Sequence, residues 1–275
     1  MKYLERGGEV EIVGADDFDP VRIFECGQCF RWDADENGVY TGVAMGRAAR
    51  VRSLGGRVFL SGTAEDFEAV WRDYFDMDRD YGEIRGRLCI DDFMQKATDF
   101  GAGIRILRQD KWEALCSFII SQCNNIPRIK KIISALCHRF GGKFEFEGKE
   151  FCAFPTAQRI AALDEEKLAC IRCGYRAAYI IGAARAIDAG IIDLDALSLD
   201  SPANARAALK TLRGVGNKVA NCAALFGLHM LDSFPLDVWM KRAISEQYGP
   251  NFDPVVFSPF AGIAQQYIFH YVRNR

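Results

Sequence analysis

The chain has 275 residues, 49% hydrophobic content and a formal net charge of −2, enough apolar mass for a sizeable core and too little positive charge for indiscriminate binding to polyanions. No apolar run reaches the length that crosses a bilayer, and the opening M-K-Y-L-E-R-G-G-E-V lacks the apolar stretch and small-residue cleavage site of an export signal, so a cytoplasmic protein with no membrane partner is expected. In that compartment ten irregularly spaced cysteines read as buried or free thiols rather than disulfides.

Strand signals fill the first ninety or so residues. Val10 to Val13, Phe30 to Trp32, Val39 to Ala44, Arg47 to Arg52 and Val58 to Leu60 are short extended segments, punctuated by Asn37-Gly38, Met45-Gly46 and Gly55-Gly56. This pattern predicts an antiparallel meander with a few helices. Acidic groups crowd its end, among them Asp73, Asp76, Asp78, Asp80 and Glu83; on charge alone these are either ordinary solvated helix faces or the half of the chain turned away from a polyanion. From about Lys96 the periodicity becomes helical, which divides the chain into a sheet domain over 1–96 and a helical domain over 97–275. Trp112, Leu115, Cys116, Ile119 and Ile120 fall on one face behind an N-cap at Asp110.

Two C-x-x-C pairs, Cys26/Cys29 and Cys170/Cys173, lie too far apart in sequence for a zinc site and have no His pair close by. No strand precedes C-I-R-C in the way a redox motif requires. The last cysteine is Cys222, so a C-terminal cysteine cluster for iron and sulfur is absent. No metal and no other cofactor is expected.

Further on, L-R-G-V-G-N-K-V-A-N sets a tight connection, Gly214-Val215-Gly216, between helices predicted over Ala203 to Leu212 and Lys218 to Leu228. A dinucleotide-binding reading fails, because no strand precedes the glycines and Val219 stands in place of the third one. Two readings remain open. The glycines could simply cap a helix–helix turn, or the unpaired first amides of the second helix could hold a phosphate. Asp237, nineteen residues beyond Lys218, stands where it would cap the next helix.

Taken together, the hairpin, its lysine and this aspartate resemble the helix-hairpin-helix DNA glycosylases, and a lysine directly after the hairpin resembles their bifunctional branch. Further stretches resemble the 8-oxoguanine DNA glycosylase/AP lyase family: E-C-G-Q-C-F-R-W, G-I-R-I-L-R-Q-D, N-N-I-P-R, G-Y-R and A-G-I-A-Q-Q-Y-I-F, in that order. The resemblance implies an α+β fold, a twisted antiparallel sheet of the TATA-binding-protein-like type that contributes to lesion recognition, followed by a two-lobed all-helical helix-hairpin-helix domain with DNA in the cleft between the lobes.

The resemblance also implies an activity: excision of 8-oxoguanine from double-stranded DNA by a monomer without an iron–sulfur cluster, with strand cleavage by β-elimination. In a prokaryote such a protein would associate with the nucleoid. Lys218 would be the nucleophile and Asp237 would stabilise charge on the sugar. The flipped base would lie between Cys222 and Phe269, with Gln265 on its Watson–Crick edge and the Gly27 carbonyl at N7. Tyr175 would wedge the stack, and Asn124, Arg128 and Arg176 would hold the orphaned cytosine. Because a protonated lysine cannot attack, the amine is expected to be largely buried.

The sequence departs from the family at three positions. Cys123 replaces an asparagine that reads the cytosine, which implies a looser opposite-base preference, while Trp239 and Val272 replace a phosphate-contacting histidine and an aspartate near it. An alkylated-base glycosylase, which uses activated water and no lysine, is the nearest alternative, and Lys218 argues against it. A noncatalytic DNA-binding module would leave Lys218, Asp237, Cys222, Gln265 and Phe269 without a use.

Overall fold

The computed structural model describes residues 2–274. They form two compact units, one of Met1–Gly42, Ala49–Arg108 and Leu231–Arg275, the other of Val43–Ala48 and Gln109–Met230. The boundary expected near Lys96 follows the change of periodicity along the chain. The compact units differ from it, because Leu231–Arg275 groups with the sheet.

The first unit is built on a six-stranded sheet in the order β1-β2-β6-β5-β4-β3, with β1 Lys2–Arg6, β2 Glu9–Val13, β3 Trp32–Ala34, β4 Tyr40–Ala44, β5 Arg47–Leu54 and β6 Arg57–Ser61. The pairs β1–β2, β2–β6, β3–β4 and β5–β6 run antiparallel. Gly7-Gly8, Met45-Gly46 and Gly55-Gly56 all take positive φ in the two-residue turns, the geometry whose twist matches a hairpin. The sequence does not announce β1, and the reason is visible: every residue but Tyr3 in K-Y-L-E-R is exposed, so this edge strand carries no apolar alternation. β3 begins at Trp32, two residues later than the predicted Phe30.

Helices α1 Pro20–Glu25, α2 Ala64–Asp66, α3 Arg72–Tyr74, α4 Tyr81–Leu88 and α5 Asp92–Phe100 belong to the same unit, with a π-helical turn, Phe67–Trp71, joining α2 to α3. Phe24 of α1 stacks on Trp32 with ring centroids 4.3 Å apart. Trp71, Tyr74 and Phe75 complete the cluster, and Trp32 Nε1 donates to the Tyr74 hydroxyl at 2.9 Å. Gly42 pairs with Trp32 across β3 and β4, and a Cβ there would fall 2.1 Å from the indole. The tryptophan of E-C-G-Q-C-F-R-W is thus a core residue that requires glycine on the neighbouring strand. Arg105 of G-I-R-I-L-R-Q-D is also structural: it is buried and donates to the carbonyls of Asp17, Phe75, Asp76 and Arg79. The acidic crowd is largely ion-paired, with Asp76 held by Arg79 and Arg108, Asp78 by Arg72, and Glu83 by Arg87.

In the second unit, α6 Lys111–Ile120 starts at the expected cap, Asp110, whose carboxylate accepts from the Glu113 amide at 2.8 Å. It is followed by α7 Ile126–Phe140, the hairpin β7 Lys143–Phe146 and β8 Lys149–Cys152, then α8 Ala157–Ala161, α9 Glu165–Leu168, α10 Arg176–Asp188, α11 Leu194–Ser198, α12 Pro202–Leu209 and α13 Asn217–Phe226. Apart from Lys111 and Glu113, α6 is buried along its length. It packs on α13, where Phe118 stacks on Phe226 with centroids 5.2 Å apart. The chain returns to the first unit with α14 Val238–Tyr248 and α15 Ala261–Asn274. No helix among the described residues is long and apolar enough to cross a membrane.

Candidate active site

In the second unit, α12 ends at Leu209, three residues before the predicted end, so the connection to α13 is longer than a minimal hairpin. Gly214 has φ +84, and a Cβ there would lie 2.3 Å from the Tyr179 ring. Only glycine satisfies both constraints. Gly216 is the N-cap of α13 and supplies no side-chain acceptor, so the first amides of the helix point outward unpaired, as at an anion site. A Cβ on Gly216 would meet nothing within 4 Å, which leaves room for a close approach. Val215 between them is buried and ties the turn back through its amide to the Leu212 carbonyl.

Lys218 follows on the first turn of α13. Its amine lies 3.4 Å from Ser121 Oγ and 5.4 Å from the centre of the Phe118 ring. The side chain is half-buried rather than largely buried as expected; its stem runs toward α6 while the turn before it stays open. Cys222 sits one helical turn further along the same face and is buried.

The predicted opposite-base residues cluster in this unit but are not equally available. Tyr175, 54% exposed, stands at the tip before α10, edge-on to Tyr179. Arg128 is exposed on the first turn of α7. Asn124 folds onto its own turn, donating to the Ile120 carbonyl and accepting from the Asn125 amide. Arg176 is the least available of them. Only 4% exposed, it donates to the carbonyls of Gln122, Cys123 and Cys173, so its guanidinium braces the turn after α6 instead of offering a free fork. Cys123, exposed, holds φ +47 within that turn.

In the first unit, Gly27 follows α1 with φ +84, between the buried Cys26 and Gln28. The Gln28 amide donates to the carbonyls of Ile23 and Arg105 and accepts from the Leu107 amide. From α15, the buried Gln266 reaches the Cys26 carbonyl at 3.4 Å. The Gly27 peptide is thus fixed from both sides. Gln265 and Phe269 share the next face of α15: Phe269 is half-buried, and Gln265, 4% exposed, keeps an Oε1 with no hydrogen-bond partner among the described residues. A buried orphan acceptor is costly and calls for a donor. Gln28 and Gln266 were not singled out from the sequence; the first lies inside a recognised motif, and the second had no signal beyond its neighbour. Asp237 is the N-cap of α14, accepting from the Met240 amide at 2.8 Å through Oδ1.

Residues 12–115 match the family model described as 8-oxoguanine DNA glycosylase, N-terminal domain, and residues 116–254 the model described as HhH-GPD superfamily base excision DNA repair protein. The chain belongs to the 8-oxoguanine DNA glycosylase/AP lyase family. It is 32% identical over 252 residues to the N-glycosylase/DNA lyase of Saccharomyces cerevisiae, covering 82% of this chain and 67% of that protein. The structure of MBOgg1 in complex with a low affinity DNA ligand matches with TM-score 0.93 and 44% identity over 99% of both chains. Clostridium acetobutylicum 8-oxoguanine glycosylase/lyase, in complex with double-stranded DNA containing cytosine opposite the lesion, matches with TM-score 0.93 and 37% identity over 99% of this chain and 98% of that one.

Two departures from the family pattern meet in the first unit: Trp239 and Val272 line one surface cavity of about 330 Å³ together with Phe93, Ala243 and the polar Arg242, Glu246 and Gln247. None of the ten cysteines is in a disulfide. Burial pushes the Cys26 thiol up to about 11, which leaves it a packing residue rather than a thiolate ligand or nucleophile.

Proposed function

We propose that this glycosylase-family chain excises 8-oxoguanine from duplex DNA and then cleaves the strand at the resulting site, with Lys218 as nucleophile. The observation that carries the reading is Lys218 on the first turn of α13, directly behind an uncapped glycine turn. A phosphate held on the outward amides would be gripped by the same rigid helix that presents the amine.

The flipped base is read by groups of the first unit. Its Watson–Crick edge offers N–H donors, and the orphaned Oε1 of Gln265 is an acceptor in want of one. The Gly27 carbonyl accepts from the N7–H that 8-oxoguanine carries, whereas guanine has a lone pair there and is repelled. Phe269 supplies a half-exposed ring face, and Cys222, from α13, is the residue assigned to the other face of the base.

Chemically, the neutral Lys218 amine attacks C1′. The C1′–N9 bond breaks, its electron pair leaves with the base, and the base takes up a proton. Loss of a proton from the nitrogen and opening of the sugar give a Schiff base. Removal of a C2′ proton then expels the 3′ phosphate with the C3′–O electron pair, which is the β-elimination. Asp237 stabilises the positive charge that develops on the sugar. Opposite the lesion, Asn124, Arg128 and Tyr175 attend the orphaned base, and Arg176 joins them with its full fork only by releasing carbonyls it now holds.

Borohydride trapping on a duplex with one 8-oxoguanine opposite cytosine tests this. A covalent adduct with the natural chain and none with Lys218→Gln is the expected result. Base release without an adduct would replace the lysine with water and return the chain to a monofunctional mechanism.

A further inference from the structure

A lysine nucleophile ends a flexible four-carbon stem, and attack requires its nitrogen at one place with its lone pair uncommitted. The surroundings of Lys218 supply both conditions from one residue that the reaction has not yet been given. Ser121 is the C-cap of α6, and its Oγ donates to the Phe118 carbonyl at 2.8 Å. The single hydroxyl proton is therefore spent, and the oxygen can only accept from the Lys218 amine 3.4 Å away. An acceptor holds the amine by one of its N–H bonds. A donor would instead have tied up the lone pair that must attack.

The hold is directional. Ser121 and Phe118 lie one turn apart on α6, so the amine sits between an acceptor oxygen and a ring face whose centre is 5.4 Å from it. Ser121 is itself fixed: its amide donates to the Ser117 carbonyl at 2.9 Å, and the two residues after it are pinned through their carbonyls by the buried Arg176 of α10. A third helix thus braces the turn that carries the hydroxyl, and Cys123 in the left-handed region ends it.

We propose that Ser121 is a positioning residue for Lys218, accepting a hydrogen bond from its amine so that the nitrogen is held with its lone pair free. The inference rests on the lysine reading above. It predicts a loss in the chemical step alone, since Ser121 has no assigned contact with DNA.

The test is single-turnover excision on the 8-oxoguanine·cytosine duplex with the natural chain, Lys218→Gln, Ser121→Ala and Ser121→Thr, reading the plateau rate, the half-saturating protein concentration, the borohydride-trapped fraction and the melting temperature. Ser121→Ala is expected to lower plateau rate and trapping by roughly three- to ten-fold, the range of one net hydrogen bond, at unchanged half-saturation and melting temperature. Ser121→Thr, which keeps the hydroxyl, is expected to recover at least half of the loss. An alanine variant that traps and excises like the natural chain would overturn the proposal while leaving Lys218 in place. So would a rate loss that follows a raised half-saturation or a lowered melting temperature and is not rescued by threonine. A natural chain that forms no adduct would overturn the lysine reading and this inference with it.

Discussion

The two glycines of the hairpin separate folding from binding, and substituting each by alanine tests both. At Gly214 an alanine faces φ +84 and a Tyr179 ring atom 2.3 Å from its Cβ. The left-handed conformation costs about 1–2 kcal/mol and overpacking against a ring about 1–3 kcal/mol more, so Gly214→Ala is expected to lose about 2–5 kcal/mol. At about 2–4 °C per kcal/mol for a chain of this size, that is a fall of roughly 4–20 °C in Tm. At Gly216 the same methyl meets nothing within 4 Å, and exchanging one N-cap without a side-chain acceptor for another costs about 1 kcal/mol at most. That methyl would nevertheless stand in the path of a phosphate approaching the α13 amides. Gly216→Ala is therefore expected to weaken duplex binding roughly ten-fold, as loss of a charge-assisted hydrogen bond would, with Tm within about 4 °C of the natural chain. Calorimetric melting and fluorescence-anisotropy titration of a labelled duplex read the two quantities. Wild-type affinity in Gly216→Ala would refute phosphate capture at this turn, and an unchanged Tm in Gly214→Ala would refute the steric account of the first glycine.

Asp237→Asn keeps a good N-cap for α14, so Tm should stay within about 0.5 kcal/mol equivalents of the natural chain while base excision falls at least ten-fold in single-turnover assays; equal excision would restrict Asp237 to capping. Gln265→Leu removes the buried Oε1 that lacks a partner, so urea denaturation should find the variant as stable as the natural chain or more so, with excision of 8-oxoguanine strongly reduced. Burial holds His270 below its usual 6.5. Between the folded and unfolded values the unfolded chain binds more protons, so stability is full above about 6.5 and falls as pH drops through that value until the folded imidazole also protonates. Urea midpoints at pH 7.5 and 5.5 should therefore differ less in His270→Gln than in the natural chain. Cys123→Asn places a residue that tolerates φ +47 at the family's cytosine-reading position, and excision rates against the four opposite bases should spread further apart than those of the natural chain.

How much of this was legible depended on how locally each feature is determined. The hairpins at Met45-Gly46 and Gly55-Gly56 and the helix behind Asp110 were readable because a turn conformation or a cap is decided within a few residues. The helix before Gly214 was read three residues too long, since Lys210 and Leu212 are good helix formers and the one poorer residue between them, Thr211, is too weak a signal to mark the end. Groups that orient the candidate site through distant carbonyls were not readable at all. Gln28 meets Arg105 across 77 positions, Gln266 meets Cys26 across 240, and Arg176 meets Gln122 across 54.

Arg176 shows why that matters for mechanism. Its motif gives it a part in reading the orphaned cytosine, yet its donors are engaged with the turn that carries Ser121, and Ser121 holds Lys218. Four of its five N–H donors are engaged with the three carbonyls, which leaves one for the cytosine. Turning the whole fork toward an orphaned base would loosen the turn beside the nucleophile, unless the turn finds other donors when DNA is bound. Opposite-base recognition and lysine placement are in this way linked through two residues of backbone, Gln122 and Cys123, and Cys123 is where this chain departs from its family. A side chain at Cys123 that held the turn by itself would free Arg176 to read the base without disturbing Lys218. Asparagine, which both tolerates the left-handed conformation and hydrogen-bonds its own turn, has that chemistry. The looser preference expected of cysteine then has two physical sources: one reading group fewer, and an arginine whose fork is largely engaged with backbone carbonyls.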